Sequence, residues 1–311
     1  MLSRRSVSSK TAFKRKQILK NLLLAVVILS FCALLPVVYL RLKERGGNGR
    51  GELQALFESG AFEQVYAQSV QMLAEYPLDF FLLTIQGFSA YQLAIAQINN
   101  FDTLRYVDSS IWALRRALLL KEGLSDGRVY YVLGKAYFHK GAEYADLAIN
   151  YLEKAKTAGF TAPDVPEYLG LAYAVLEDYH SSVAAFSLAL TEQNGKPSDI
   201  LLLAIARSYI GLGEADAAKA YLVHSIEVSR DSRTKAAARL LLGDILINSG
   251  DLSGAEAEFT RLIEESGESA EARYQLGVIY AALGDTTRAR AEWRRAIRLD
   301  PAHEPTRRRL N

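Results

Sequence analysis

The chain has 311 residues, half of them apolar, and a net charge of only +2. That composition supplies a large core and excludes both a disordered polyelectrolyte and a strongly basic nucleic-acid binder. A single cysteine, Cys32, excludes an intrachain disulfide and any zinc site that needs several thiolates.

Residues 1–21 form a basic segment without an acid, carrying Arg4, Arg5, Lys10, Lys14, Arg15, Lys16 and Lys20. Leu22–Leu40 is a run of nineteen residues without a charge. As a helix it would span about 28 Å, enough to cross a bilayer core, and Pro36 is tolerable there. The excess of positive charge before this run predicts a cytoplasmic N-terminus and places the remainder across the membrane, which in a bacterium is the periplasm. The Ser/Arg/Lys-rich, acid-free start also suits a transit peptide, so a mitochondrial inner membrane is the alternative. The length of the run and the lack of a small-x-small site argue against a cleaved signal peptide. Phe31 before Cys32, with apolar residues continuing after it, argues against lipidation. Residues 41–51, with Gly46-Gly47-Asn48-Gly49-Arg50-Gly51, read as a flexible tether. Residues 1–45 hold ten Lys/Arg and one acid, a charge of +9, which leaves −7 for the rest.

Beyond the tether the chain reads as helical hairpins. Gly60-Ala61-Phe62 marks a first turn, and Pro77 ends the helix that follows. Gly87 belongs to the next unit. There, an insertion of about eleven residues between Ala94 and Asp108 precedes a helix predicted over Ile111–Leu120. Gly134 and Tyr137 recur as Gly170 and Tyr173, and Tyr173 recurs as Tyr209, at intervals of 36. Second helices are marked by Ala148-Ile149 with Ala155, by Val183-Ala184-Ala185-Phe186 with Ala189, and by Ala218 with Leu222. The turn after Gly141 is about two residues longer than its counterparts, and Glu177 stands where a turn glycine is expected. Short insertions occupy Gln193–Ser198 and Val228–Arg233.

The pattern is clearest at the end. Leu276, Gly277, Tyr280, Gly284, Ala289, Trp293, Ala296 and Pro301 repeat, 34 residues back, as Leu242, Gly243, Leu246, Gly250, Ala255, Phe259 and Leu262. Leu276, Gly277 and Tyr280 share one helical face, and Ala289, Trp293 and Ala296 share another. Gly284-Asp285 breaks the helix between them and caps the next, and Pro301 stops it. This spacing resembles the tetratricopeptide repeat, a helix–turn–helix unit of about 34 residues. The resemblance implies an all-α, right-handed superhelical solenoid of about seven hairpins over residues 52–303, after a single N-terminal transmembrane helix. The units start near residues 46, 80, 127, 163, 199, 236 and 270. An Arg-rich tail, 304–311, follows.

Nothing in the sequence carries chemistry. His139, His180, His224 and His303 lie in different units without metal-ligand spacing. Gly211-Leu212-Gly213 lacks a third glycine and a preceding strand, and there is no phosphate loop, nucleophile elbow or kinase signature. We therefore expect no catalysis, cofactor, metal, nucleic acid or small-molecule substrate.

The resemblance implies instead a concave groove, lined by the first helices, that grips an extended peptide or a helix. In this register the groove presents Tyr131, Lys135, Phe138, Glu167, Tyr168, Leu171, Leu203, Arg207, Leu240, Asp244 and Tyr274. The chaperone-tail clamp of some family members is not expected, because the matching places hold Lys135, Leu171, Arg207, Asp244 and Val278 without asparagines. Arg294, Arg295, Arg298, Arg307, Arg308 and Arg309 form a basic end suited to an acidic partner or to lipid head groups. The expected function is a membrane-anchored protein-interaction scaffold that supports a cell-envelope complex, such as a flagellar motor collar or cell-wall, division or secretion machinery. A receptor for transient peptide clients and an accessory subunit of an envelope enzyme are the alternatives.

Overall fold

The computed structural model describes residues 49–120, 126–192 and 197–310. The basic segment, the apolar run Leu22–Leu40 and most of the tether lie outside them. Among the described residues no helix is long and apolar enough to cross a membrane.

Every regular element among the described residues is helical. Helix α1 covers 49–58. It is followed by α2 (Phe62–Glu75), α3 (Phe80–Ile95), α4 (Asn100–Ala117), α5 (Gly127–Lys140), α6 (Ala145–Thr157), α7 (Val165–Val175) and α8 (Tyr179–Glu192). Then come α9 (Asp199–Leu212), α10 (Ala215–Val228), α11 (Ser232–Asn248), α12 (Leu252–Ser266), α13 (Ala270–Ala282), α14 (Thr286–Leu299) and α15 (Glu304–Leu310). The first fourteen pair as hairpins, α1 with α2 in the Leu53, Val65 and Leu73 cluster and α3 with α4 through α13 with α14, and each second helix also packs on the next first helix. The first helices α3, α5, α7, α9 and α11 touch in succession, so they line the inner side of the stack.

Side-chain caps start many of these helices. Asp79, Asn99, Ser198, Asp231, Asp251 and Asp285 each accept a backbone N–H from the first turn of the helix they precede, at 2.8–3.1 Å. Gly250 and Gly284 end α11 and α13 at φ 83° and 82°, values that a Cβ disfavours. At the equivalent turn after α7, Glu177 adopts φ 58° itself. Glutamate has taken the glycine position without changing the turn.

The small residues set the hairpin spacing. A Cβ on Gly170 would lie 2.5 Å from Phe186, one on Gly243 2.7 Å from Cε1 of Phe259, and one on Gly134 2.6 Å from Leu152. The two helices of each of these units therefore touch through a glycine opposite a large buried side chain. In the fifth unit Ala206 and Leu222, both fully buried, take these places. Charge recurs at the same period. Arg239 on α11 reaches Glu258 on α12 at 2.5 Å, and Arg273 on α13 reaches Glu292 on α14 at 3.0 Å, each partner being shifted by 34 residues.

Three sequence expectations change. The helix expected over Ile111–Leu120 instead runs Asn100–Ala117, because the insertion is largely helical. Leu114, which faces Gly87, is the fifteenth residue of α4, whereas Trp293 is the eighth of α14. Helix α4 thus starts seven residues earlier, about two turns or 10 Å. It carries exposed Phe101 and Leu104 beyond its neighbours, with Ile98 exposed in the loop just before it. The last three tether residues, 49–51, belong to α1. The Arg-rich tail is a helix, α15, anchored by fully buried Thr306 and by His303, which lies 2.9 Å from Glu271 on α13.

Candidate functional site

The inner face divides into a filled half and an open half. In the filled half, α5 and α7 bring together Tyr131, Lys135, Phe138 and Tyr168, and add Tyr91 on α3, His139 and Asp164. The Lys135 ammonium donates to Asp164 at 2.7 Å and to the Tyr131 hydroxyl at 3.0 Å. It also lies 4.7, 4.9 and 5.5 Å from the ring centres of Tyr168, Tyr131 and Tyr91. The Tyr131 hydroxyl donates to Asp164 at 2.8 Å, Tyr168 hydrogen-bonds His139 at 3.2 Å, and Phe138 packs edge-on to Tyr168.

The electrostatics follow from this packing. Burial acts to lower the pKa of Lys135, but its bonds to Asp164 and Tyr131 outweigh burial and raise it. Burial, reinforced by Tyr168, raises Tyr91. Burial and then the Lys135 charge lower His139. Lys135 is therefore an internal cation, already engaged, that ties three successive first helices together. Sequence reasoning did not place Asp164 beside it. The offset was the available signal, since Asp164 lies 33 residues beyond Tyr131, about one repeat.

The open half runs from α7 to α13. Ile200, Leu203, Arg207 and Ile210 share one face of α9 by their spacing. Leu203 lies in the core at 7% exposure, whereas Ile200 at 61% and Ile210 at 37% meet solvent, as does Arg207. Val175 adds 43% exposure at the end of α7, and Leu171 packs below it against the Phe186 cluster. Glu167 on α7 is raised by burial and by Asp164. Leu240 packs on the α11 core. Asp244, half-buried on α11, is raised to about 6 by burial and by the charge of Glu271. The ring of Tyr274 lies 5.3 Å from that of His303, and its carbonyl accepts from the Trp293 indole at 3.2 Å.

The basic end is also divided. Arg295 pairs with Glu292 at 2.6 Å and Arg308 pairs with Glu304. Arg298 and Arg307 are exposed. Arg294 and Arg309 line a cavity together with Arg290, which was not among the candidates. Among the described residues no group of histidines and carboxylates is placed to hold a metal ion.

Residues 203–270 and 240–304 match the family model for the tetratricopeptide repeat. No curated protein sequence matches the chain. Among solved structures, the C-terminal part of a TPR repeat-containing protein from Cytophaga hutchinsonii is 14% identical, covers 84% of this chain and 99% of its own, and superposes with a TM-score of 0.62. PilW, a type IV pilus biogenesis factor, is 18% identical over 72% of this chain and 98% of its own, with a TM-score of 0.57. YrrB, a TPR protein with an unusual peptide-binding site, is 23% identical over 64% of this chain and 97% of its own, with a TM-score of 0.51. At these identities the likeness is one of fold. The repeat match over residues 203–304, with that shared all-helical stack, supports the tetratricopeptide repeat family.

Proposed function

We propose that the chain is a non-catalytic, membrane-anchored scaffold that binds other proteins through the inner face of its repeats. The observation that carries this is the open half of that face. Val175, Ile200 and Ile210 expose aliphatic surface beside Arg207, and the hairpins hold them on rigid helices. A hydrophobic centre bordered by charge is what a protein partner buries. The Tyr131–Lys135–Tyr168 cluster supplies the rigid floor next to it rather than free contacts. Tetratricopeptide repeats generally serve protein interaction, and the pilus factor and the peptide-binding protein named above share this fold.

The membrane part of the proposal rests on Leu22–Leu40 and its basic flank. That arrangement puts the repeats in the periplasm of a bacterium, where the partner would be a component of a cell-envelope assembly. The test is crosslinking in cells with the full-length chain and with Ile200→Glu/Ile210→Glu, followed by mass spectrometry of the captured proteins. A small stoichiometric set of envelope proteins, lost from the double variant at unchanged melting temperature, is the expected result. The same set captured by both proteins would rule out this face. Extraction of the full-length chain by alkaline carbonate would rule out the anchor.

A further inference from the structure

The last hairpin carries a second feature, away from the inner face. A cavity of about 630 Å³ opens between α14 and α15, lined by Thr286, Thr287, Arg290, Trp293, Arg294 and Arg309. No acid lines it. Residues 284–310 hold eight arginines and four acids, and each acid is already engaged. Asp285 holds Arg288, Glu292 holds Arg273 and Arg295, Glu304 holds Arg308, and Asp300 accepts the Ala302 N–H. Arg290, Arg294 and Arg309 have no carboxylate partner among the described residues, and the Arg309 guanidinium lies 5.7 Å from the Trp293 ring centre.

Three arginines that line one cavity without a counter-ion repel one another, and an anion among them lowers that cost. The shape of the anion follows from the donors. A carboxylate offers two oxygens and saturates on one guanidinium fork. A phosphate group offers more oxygens and a tetrahedral spread, which three forks and two threonine hydroxyls can share. We infer that this cavity is a binding site for a phosphate group, carried either by a soluble phosphate compound or by a phospholipid head group.

The test uses the full-length chain with Trp112→Phe, which leaves Trp293 as the reporting indole. Its fluorescence is titrated with sodium pyrophosphate at constant ionic strength. A saturable change is expected, weakened at least about tenfold in Arg290→Gln/Arg294→Gln. Arg309→Gln, which changes only the covering helix, should weaken it as well and guards against damage to α14. A parallel arm compares binding to vesicles with and without phosphatidylglycerol. An arginine-dependent preference for the anionic vesicles identifies the head group as a source, and pyrophosphate binding without that preference identifies a soluble one. No saturable signal, equal affinity in all variants, or stronger competition by a polyglutamate peptide than by pyrophosphate would overturn the assignment.

Discussion

One methyl group at position 277 probes the packing that spaces the hairpins. A Cβ there would lie 2.5 Å from Cδ1 of Trp293 and closer still to its Nε1. Ordinary carbon contacts sit near 3.5–4.0 Å, so the indole must retreat by about 1 Å. Trp293 is 7% exposed and donates to the Tyr274 carbonyl at 3.2 Å, so it has little room and one bond to lose. Overpacking of this kind costs about 1–3 kcal/mol. The strained indole bond adds about 1 kcal/mol, and the better helix propensity of alanine offsets about 1 kcal/mol. Gly277→Ala should therefore destabilise by about 1–3 kcal/mol. Gly51 supplies the control, because a Cβ at that helical position meets nothing within 4 Å. Gly51→Ala should gain up to about 1 kcal/mol from propensity alone. In a Trp293→Leu background the Gly277→Ala penalty should disappear. Chemical denaturation followed by circular dichroism measures the change. Hydrogen exchange on α13 and α14 locates it, since one unit of a stack can open by itself. Equal stability of Gly277→Ala and the parent, or an undiminished penalty in the Trp293→Leu background, would refute the close-contact account.

Three further outcomes follow from the fold. Glu177→Gly should raise stability by about 0.5–1 kcal/mol, because it relieves a left-handed backbone at some cost in unfolded-chain entropy; an unchanged denaturation midpoint would mean the glutamate is not strained there. Arg239→Met should lose about 2–4 kcal/mol by leaving Glu258 (12% exposed) with a weaker partner, and Arg239→Met/Glu258→Met should recover much of it; equal losses in the single and double variants would show that the ion pair is not coupled. Asp244 is raised from 3.8 to about 6, so the folded state holds its proton more tightly than the unfolded chain. Its contribution is full below pH 4 and lost as pH rises through about 6, worth about 1–2 kcal/mol after allowing for partial solvent exposure. Relative to the parent, Asp244→Asn should thus gain stability as pH rises from 4 to 7, and parallel pH profiles would contradict the assigned shift.

The hairpins were legible because their signals are local. Gly243 with Phe259 and Gly277 with Trp293 carry the fold in residue type and spacing alone, and the capping aspartates mark where helices begin. What escaped was set by contacts across units or by exposure. The start of α4 was hidden because Phe101 and Leu104 look like core positions and are solvent-exposed. Helix α15 was hidden because seven residues with three arginines have little intrinsic reason to fold; the burial of Thr306 and the His303–Glu271 contact order them. On the inner face, residue type nominated Tyr131, Lys135 and Tyr168. Only the structure shows that Asp164 and three rings already occupy the lysine.

The 34-residue recurrence of Arg239–Glu258 as Arg273–Glu292 extends to the glycines and the large residues opposite them. The sixth and seventh units are therefore each closed, helix against helix, by the same internal contacts. Each hairpin thus carries within itself what holds its two helices together. Substitution at Gly243 or at Gly277 would then disturb one hairpin and leave the internal contacts of the other in place.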